Sequence, residues 1–140
     1  MLTVVAALIE SKGKLLVCQR RRGSNFELMW EFPGGKRKPG ETLEQALARE
    51  LIEELGIVAR IGPEIYRLQH QYAKMSEPIE LIFFAANAEP SVVRNQVFEQ
   101  IQWRDPHALL ELDFLPADRE LVEKLATGDL RLPRPAPGET

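Results

Sequence analysis

Glu50, Glu53 and Glu54 are the residues of this chain whose type and spacing most directly suggest chemistry; they stand in the run GETLEQALARELIEELGI. On a helical wheel at about 100° per residue, Glu50 falls about 20° to one side of Leu43 and Glu54 about 20° to the other. Glu53 lies beside Glu50, so three carboxylates crowd one edge of an otherwise apolar face. Uncompensated, they would repel one another, and each would cost roughly several kcal/mol to desolvate. A hard divalent cation relieves both problems, and an oxygen-only donor set favours Mg²⁺ or Mn²⁺ over zinc. The same spacing also fits a solvated acidic helix face with Arg49 as its partner.

The element that positions these acids reads as a helix over Leu43–Leu55. Thr42 and Gln45 form a capping box at its start, each side chain serving the other's backbone amide. Gly56 stops it as a C-cap residue. Leu43, Leu47, Ala48, Leu51, Ile52 and Leu55 make its apolar arc. Ahead of it come the glycine pair Gly34-Gly35 and a basic turn of Lys36, Arg37 and Lys38, with Arg20, Arg21 and Arg22 further upstream. These cations could draw a polyphosphate to an otherwise acidic protein, or simply solubilise two loops.

The rest of the chain supplies the scaffold. Thr3–Glu10 and Lys14–Arg20 read as a hairpin, and Trp30-Glu31-Phe32-Pro33 as a short strand or bend leading into the glycines. A strand over 59–61 ends at Gly62-Pro63, and a second hairpin pairs Glu64–Tyr72 with Ile79–Ala88. IELIFFAANA is nearly all apolar and reads as a central strand buried on both faces. Gln100–Arg104 is a further strand, Pro106–Leu110 a short helix with Asp105 as N-cap, and Asp118–Ala126 a helix with Leu121, Val122 and Leu125 as its stripe. Strands and helices alternate irregularly, which gives an α/β or α+β class. The expected organisation is one domain, residues 1–130, followed by a loosely held Pro-rich tail, 131–140.

Composition excludes several classes. A length of 140 residues with 44% hydrophobic content suits one globular domain, and no apolar run is long enough to span a membrane. A net charge of −3 gives nothing that would attract a nucleic acid polymer. The N-terminus lacks the pattern of a secretory leader. The lone Cys18 rules out an internal disulfide and fits a reducing cytoplasm, and its apolar strand setting marks a buried, inert thiol.

Gly35, Glu41, Arg49, Glu50, Leu51, Glu53, Glu54, Gly56 and Ile57 fit the pattern G-x5-E-x7-R-E-U-x-E-E-x-G-U, where U is a bulky aliphatic, without departure. That pattern is the Nudix box, and the chain resembles the Nudix hydrolases. The resemblance implies an α/β/α sandwich with a mixed sheet and a loop–helix–loop catalytic unit. It implies that Glu50, Glu53 and Glu54 hold the divalent ion, joined by the Gly34 backbone carbonyl. Glu50 is then base or ligand, and Glu41 with Arg49 holds the loop against the helix. An acid outside the box completes such sites, and Glu99 is the candidate, with Glu89 second.

The flanks narrow the substrate. Trp30-Glu31-Phe32-Pro33-Gly34-Gly35 is similar to the lead-in of the MutT-type branch, and VVAALIE…GKLLVCQR resembles both that branch and the CTP pyrophosphohydrolases. Leu115-Pro116-Ala117-Asp118 occupies the place of the asparagine that reads oxidised guanine in MutT-type enzymes. A carboxylate accepts hydrogen bonds but donates only when protonated. Asp118 therefore stands as a base reader of altered chemistry, or as the N-cap of the helix that follows. Phe32 is a candidate for stacking on the base, and Arg20, Arg21 and Lys36 for the phosphates. The resemblance implies a nucleoside triphosphate pyrophosphohydrolase, monomeric or homodimeric, releasing nucleoside monophosphate and pyrophosphate. Its leading substrate is 8-oxo-dGTP, with CTP or 5-methyl-dCTP next and ADP-ribose or a dinucleotide third. A binding module that senses a nucleotide without cleaving it is the alternative of another class, and the complete set of acids argues against it.

Overall fold

The computed structural model describes residues 1–133. Its centre is β1 (Leu2–Ser11) and β6 (Ile79–Asn87), which pair in parallel from Leu2↔Ile79 to Ile9↔Ala86. Their alternate residues face opposite layers. Val5, Ala7 and Ile9 of β1, with Ile82, Phe84 and Ala86 of β6, pack under α1 (Leu43–Leu55). Ala6 and Leu8, with Leu81 and Phe83, pack under α2 (Arg119–Thr127). The period-2 side-chain alternation of a strand thus feeds two cores at once. The result is an α/β/α sandwich around a mixed seven-stranded sheet.

The main path of that sheet runs β3-β2-β1-β6-β5, with β4 (Gly34–Lys36) alongside β1 and β7 (Gln100–Arg104) alongside β2. It forks at β1. Only Glu10 and Ser11 pair with β2 (Lys14–Gln19), while Val4, Val5 and Ala6 pair antiparallel with β4. β3 (Trp30–Glu31) pairs with β2 through Cys18↔Glu31 and Gln19↔Trp30. Phe32 and Pro33 therefore cross from one branch to the other. β5 (Arg60–His70) is a single strand with register shifts between Ile61 and Tyr66. The expected break at Gly62-Pro63 is an irregularity in the ladder, because Pro63 lacks an amide to donate but the strand's apolar partners continue beyond it.

The helix ends follow the sequence. Gln45 N donates to Thr42 Oγ1 at 3.0 Å and Thr42 N to Gln45 Oε1 at 2.9 Å, and Gly56 takes the left-handed C-cap conformation. The buried arc differs by a rotation: Ala46, Leu47, Leu51 and Leu55 are buried, whereas Ile52 is 50% exposed. The shift turns Glu50 and Glu54 toward β4, and Ile52 falls on the solvent side. Pro106–Glu111 and Pro116–Asp118 are 3-10 turns, and neither Asp105 nor Asp118 makes a side-chain cap bond. Leu130 and Leu132 pack against the α2-side core, and the rest of the expected tail, 134–140, lies outside the described residues. Among the described residues no helix is long and apolar enough to cross a membrane.

Candidate active site

β4 lies so close to its neighbours that two positions admit no side chain. A Cβ on Gly34 would come within 1.9 Å of the Val5 carbonyl oxygen, and one on Gly35 within 2.5 Å of the Glu50 carboxyl carbon. The glycine pair is thus the condition for α1 to bring its acids against the strand. Arg49 organises that edge. Its Nε and Nη2 grip the two Glu41 oxygens at 2.7 and 3.0 Å, and Nη2 also donates to the Lys36 carbonyl oxygen at 3.0 Å. Nη1 donates to Glu50 Oε1 at 2.9 Å and reaches both Glu53 oxygens at 3.4 Å. The paired Arg49 donors and the Lys38 amide, at 2.8 Å, pull the Glu41 carboxyl down to a pKa of about 2, and Glu41 in turn raises the Arg49 guanidinium. One guanidinium thereby fixes the basic turn to the helix and holds two box acids.

Glu54 is different. It turns inward and accepts from Gly34 N at 2.9 Å. Burial pushes its pKa up to about 8, the Gly34 amide opposes that, and the fields of Glu31, Glu50 and Glu53 add to it. Burial likewise raises the Cys18 thiol, with Glu54 and Glu31 adding to the effect, so this cysteine is a core side chain.

Glu31 links the box to a second acidic position. It projects from β3 on the opposite side from Trp30 and Phe32, and burial raises its pKa against the pull of Arg20. Arg20 Nη1 donates to both Glu31 oxygens at 3.2 Å and Arg20 Nε to the Asn25 carbonyl oxygen at 2.7 Å. On the far side stands Asp118, 4% exposed, its carboxyl raised well above the carboxylate range by burial and by the field of Glu31. Its backbone is helical, and its carboxyl makes no side-chain cap bond to the helix it precedes. Beside it, burial and then the Asp118 field raise the Tyr72 phenol. Glu54, Glu31, Asp118 and Tyr72 thus form one electrostatically connected series.

The NUDIX domain family model matches residues 1–125. The chain belongs to the Nudix family. It is 38% identical over 136 residues to the CTP pyrophosphohydrolase of Escherichia coli K12, covering 97% of this chain and 98% of that one. It is also 38% identical over 124 residues to the 8-oxo-dGTP diphosphatase of Haemophilus influenzae, covering 87% and 89%. The solution structure of the Escherichia coli ORF135 protein superposes with a TM-score of 0.78 at 37% identity, over 97% of this chain and 94% of that one. The protein is a Nudix hydrolase, of a family that generally uses divalent metal ions.

The chemistry of the Nudix donor set fits such an ion. Glu50, Glu53 and Glu54 offer only oxygen, and Glu54, raised first by burial and then by the fields of Glu31, Glu50 and Glu53, stands where a cation would offset the acids' repulsion. Their present grouping is set by Arg49: among the described residues, no three His, Cys, Asp or Glu side chains gather closely enough to hold a metal.

The remaining candidates divide sharply. Arg20 is committed to Glu31 and Asn25 rather than free for a phosphate. Arg21 Nη2 donates to the Gln96 carbonyl oxygen at 3.5 Å, and the Lys36 side chain is exposed. Phe32, 3% exposed, packs against Phe83 and Phe114 in the α2-side core and offers no open face to a base, because Trp30 and Phe32 alternate inward around Glu31. Glu99 accepts from the Arg22 amide at 3.2 Å, outside the box cluster, and Glu89 is exposed ahead of a 3-10 turn. Sequence reasoning missed Glu31 and Tyr72 as individuals. A carboxylate between two inward aromatics was the signal for Glu31; Tyr72 left none, because its role depends on a loop meeting Ala117 and Asp118.

Proposed function

We propose that this Nudix hydrolase is a Mg²⁺-dependent nucleoside triphosphate pyrophosphohydrolase that releases nucleoside monophosphate and pyrophosphate, with 8-oxo-dGTP as its foremost substrate. Glu50, Glu53 and Glu54, with the Gly34 carbonyl, would hold the ion. Mg²⁺ there neutralises phosphate charge and makes a water easier to deprotonate. Arg49 keeps the Glu50 carboxylate against Gly35, where a side chain would displace it. Glu50 is the group that would take that water's proton, and Glu41 holds Arg49 in place. The Gly34 amide aims Glu54.

The observation that supports the base assignment is the buried, uncapped Asp118. A protonated carboxyl both donates and accepts, as an asparagine amide does, so an aspartate here matches an amide reader. The relationship to an 8-oxo-dGTP diphosphatase supports the same reading. A second reading rests on the same atom pair. Protonated Asp118 can donate to cytosine N3 and accept from its N4 amine, and a CTP pyrophosphohydrolase matches nearly the whole chain. Ionised Asp118 would instead face the N3 lone pair with another acceptor, while still accepting from guanine N1–H and N2–H.

The test is pyrophosphate release with Mg²⁺ from 8-oxo-dGTP, dGTP, CTP, 5-methyl-dCTP, dATP and ADP-ribose, compared as kcat/KM at two pH values. A clear preference for 8-oxo-dGTP over dGTP sustains the first reading and a role in nucleotide-pool sanitation. A preference for cytosine nucleotides that fades as pH rises replaces it with the second. Turnover of ADP-ribose alone rejects both.

A further inference from the structure

The end of α1 poses a problem that the helix does not solve from its own sequence. The last four carbonyls of a helix lack partners within it, and the negative pole of its dipole falls there, where cations are favoured and acids are not. The last turn here, 52–55, carries Glu53 and Glu54 and no basic residue. The Gly56 amide serves Ile52 O at 3.0 Å. The carbonyls of Glu54 and Leu55 are served by the segment between β6 and β7: Gln96 N donates to Glu54 O at 3.0 Å and Arg94 N to Leu55 O at 2.9 Å. Gln96 Nε2 adds a longer bond to Ile52 O at 3.5 Å.

That segment is itself braced. The Asn95 side chain closes a ring with Phe98, donating to its carbonyl oxygen and accepting from its amide, both at 2.8 Å. Phe98 is buried in the α1-side core. Beyond it, Glu99 N donates to Gln19 O at 2.9 Å, which joins the segment to β2. Gly56 makes the room, since a Cβ there would stand 2.5 Å from Gln96 Nε2. The glycine that ends the helix thus also seats the residue that caps it from outside. Glu54 is pinned twice, its carboxylate by the Gly34 amide and its main-chain carbonyl by the Gln96 amide.

We propose that segment 94–98 is a remote cap of α1, with Gln96 as its positioning residue, and that it fixes how Glu53 and Glu54 present their carboxylates to a divalent ion. This rests on the metal-holding role given to those acids above. A frayed last turn would let both acids swing away from β4 toward solvent, so the cap acts on metal affinity and not only on the fold.

Calorimetric binding of Mn²⁺ to the substrate-free full chain tests this with wild type, Asn95→Ala, Gln96→Ala and Gln96→Glu, and with Gly56→Ala alone and combined with Gln96→Ala. Thermal melts confirm folding, and hydrogen exchange of the Arg94 and Gln96 amides reports the cap without any metal. Asn95→Ala should speed that exchange and weaken Mn²⁺ binding roughly tenfold. Gln96→Glu should weaken it about as much, because it turns an acceptor toward Ile52 O and adds negative charge at the negative pole. Gln96→Ala should weaken it about threefold. In pyrophosphate release the Mg²⁺ needed for half-maximal rate should rise in the same order, while kcat at saturating Mg²⁺ stays within about threefold. Gly56→Ala should cost less Mn²⁺ affinity in the Gln96→Ala background than in wild type, because the side chain it displaces is already gone. Folded Asn95→Ala and Gln96→Glu that bind Mn²⁺ like wild type overturn the cap, whatever their melting temperatures, and they decide the matter alone if Gly56→Ala does not fold. An equal cost of Gly56→Ala in both backgrounds also overturns it, since Gln96 would then not be the residue that Gly56 admits. A wild type that takes up no Mn²⁺ overturns the metal-holding role and the proposal with it, and the two failures are distinct.

Discussion

The two ends of the acidic series handle charge in opposite ways. At the box, Glu41, Glu50 and Glu53 are shared out around one guanidinium and remain within reach of water. At the other end, burial and then the field of Glu31 raise the Asp118 carboxyl well above the ordinary carboxylate range. Carboxylates shared around one arginine can be released to a cation, which suits the metal-holding role proposed for Glu50 and Glu53. Burial favours the protonated form of a carboxyl, which suits the donating and accepting contact to a base proposed for Asp118. Glu31 stands between these regimes, buried like Asp118 but paired with Arg20 like the box acids.

The largest effect that would break this division is at Glu54. Glu54→Gln should lower kcat by about 10²–10⁴-fold while nucleotide binding, followed by calorimetry, persists. Loss of binding with equal loss of fold would show that Glu54 is structural. Arg49→Ala comes next: with Glu41 and Glu50 left without their shared donor, kcat/KM should fall about 10–100-fold and the apparent Mg²⁺ requirement should rise. An effect confined to thermal stability would reduce Arg49 to a strut.

The adjacent glycines sharpen the comparison. Gly35→Ala should displace the Glu50 carboxyl and impair turnover with a modest change in melting temperature. Gly34→Ala meets backbone at Val5 and should destabilise the domain by roughly 1–3 kcal/mol or more. Equal behaviour of the two variants would contradict the geometry.

The smallest effect separates the regimes by pH. The folded state raises the Asp118 carboxyl, so it binds a proton more tightly than the unfolded chain does. The contribution of Asp118 to stability is therefore greatest at acid pH and is lost as pH rises from the ordinary carboxylate range through the raised value. Asp118→Asn should remove that decline and make the protein more stable than wild type at neutral pH, by about 1–3 kcal/mol in urea unfolding. Parallel stability–pH curves for the two proteins would place Asp118 in contact with water or a hidden partner.

What was legible in the chain follows from range. The helix, its capping box, its stop at Gly56 and the spacing of the box acids are local, and local periodicity carried them. The burial of IELIFFAANA on both faces was readable because no polar residue interrupts its core. The rotation of α1 was not, since Ile52 and Ala46 trade places according to what β4 allows, and β4 is a strand only because β1 is beside it. Gly62-Pro63 reads locally as a break, yet long-range pairing with β6 carries β5 through it. At the site, Glu41 and Arg49 followed from the pattern. The enclosure of Phe32, the commitment of Arg20 to Glu31 and the capping of α1 by Gln96 are contacts between segments far apart in sequence, which no spacing rule encodes.

The parallel pairing of β1 with β6 has a bearing on how the protein is made. Leu2 is synthesised well before its partner Ile79, with β2, β3, β4, α1 and β5 lying between them in the chain. Until then the apolar run Val4–Ile9 has just the hairpin with β2 and the short β4 to shelter it. Closing so long a loop is slow, and nascent strands with open edges invite association. β1 should therefore wait unpaired on that side until β6 has been made, and its amides should be the last to exchange with deuterium once the domain has closed.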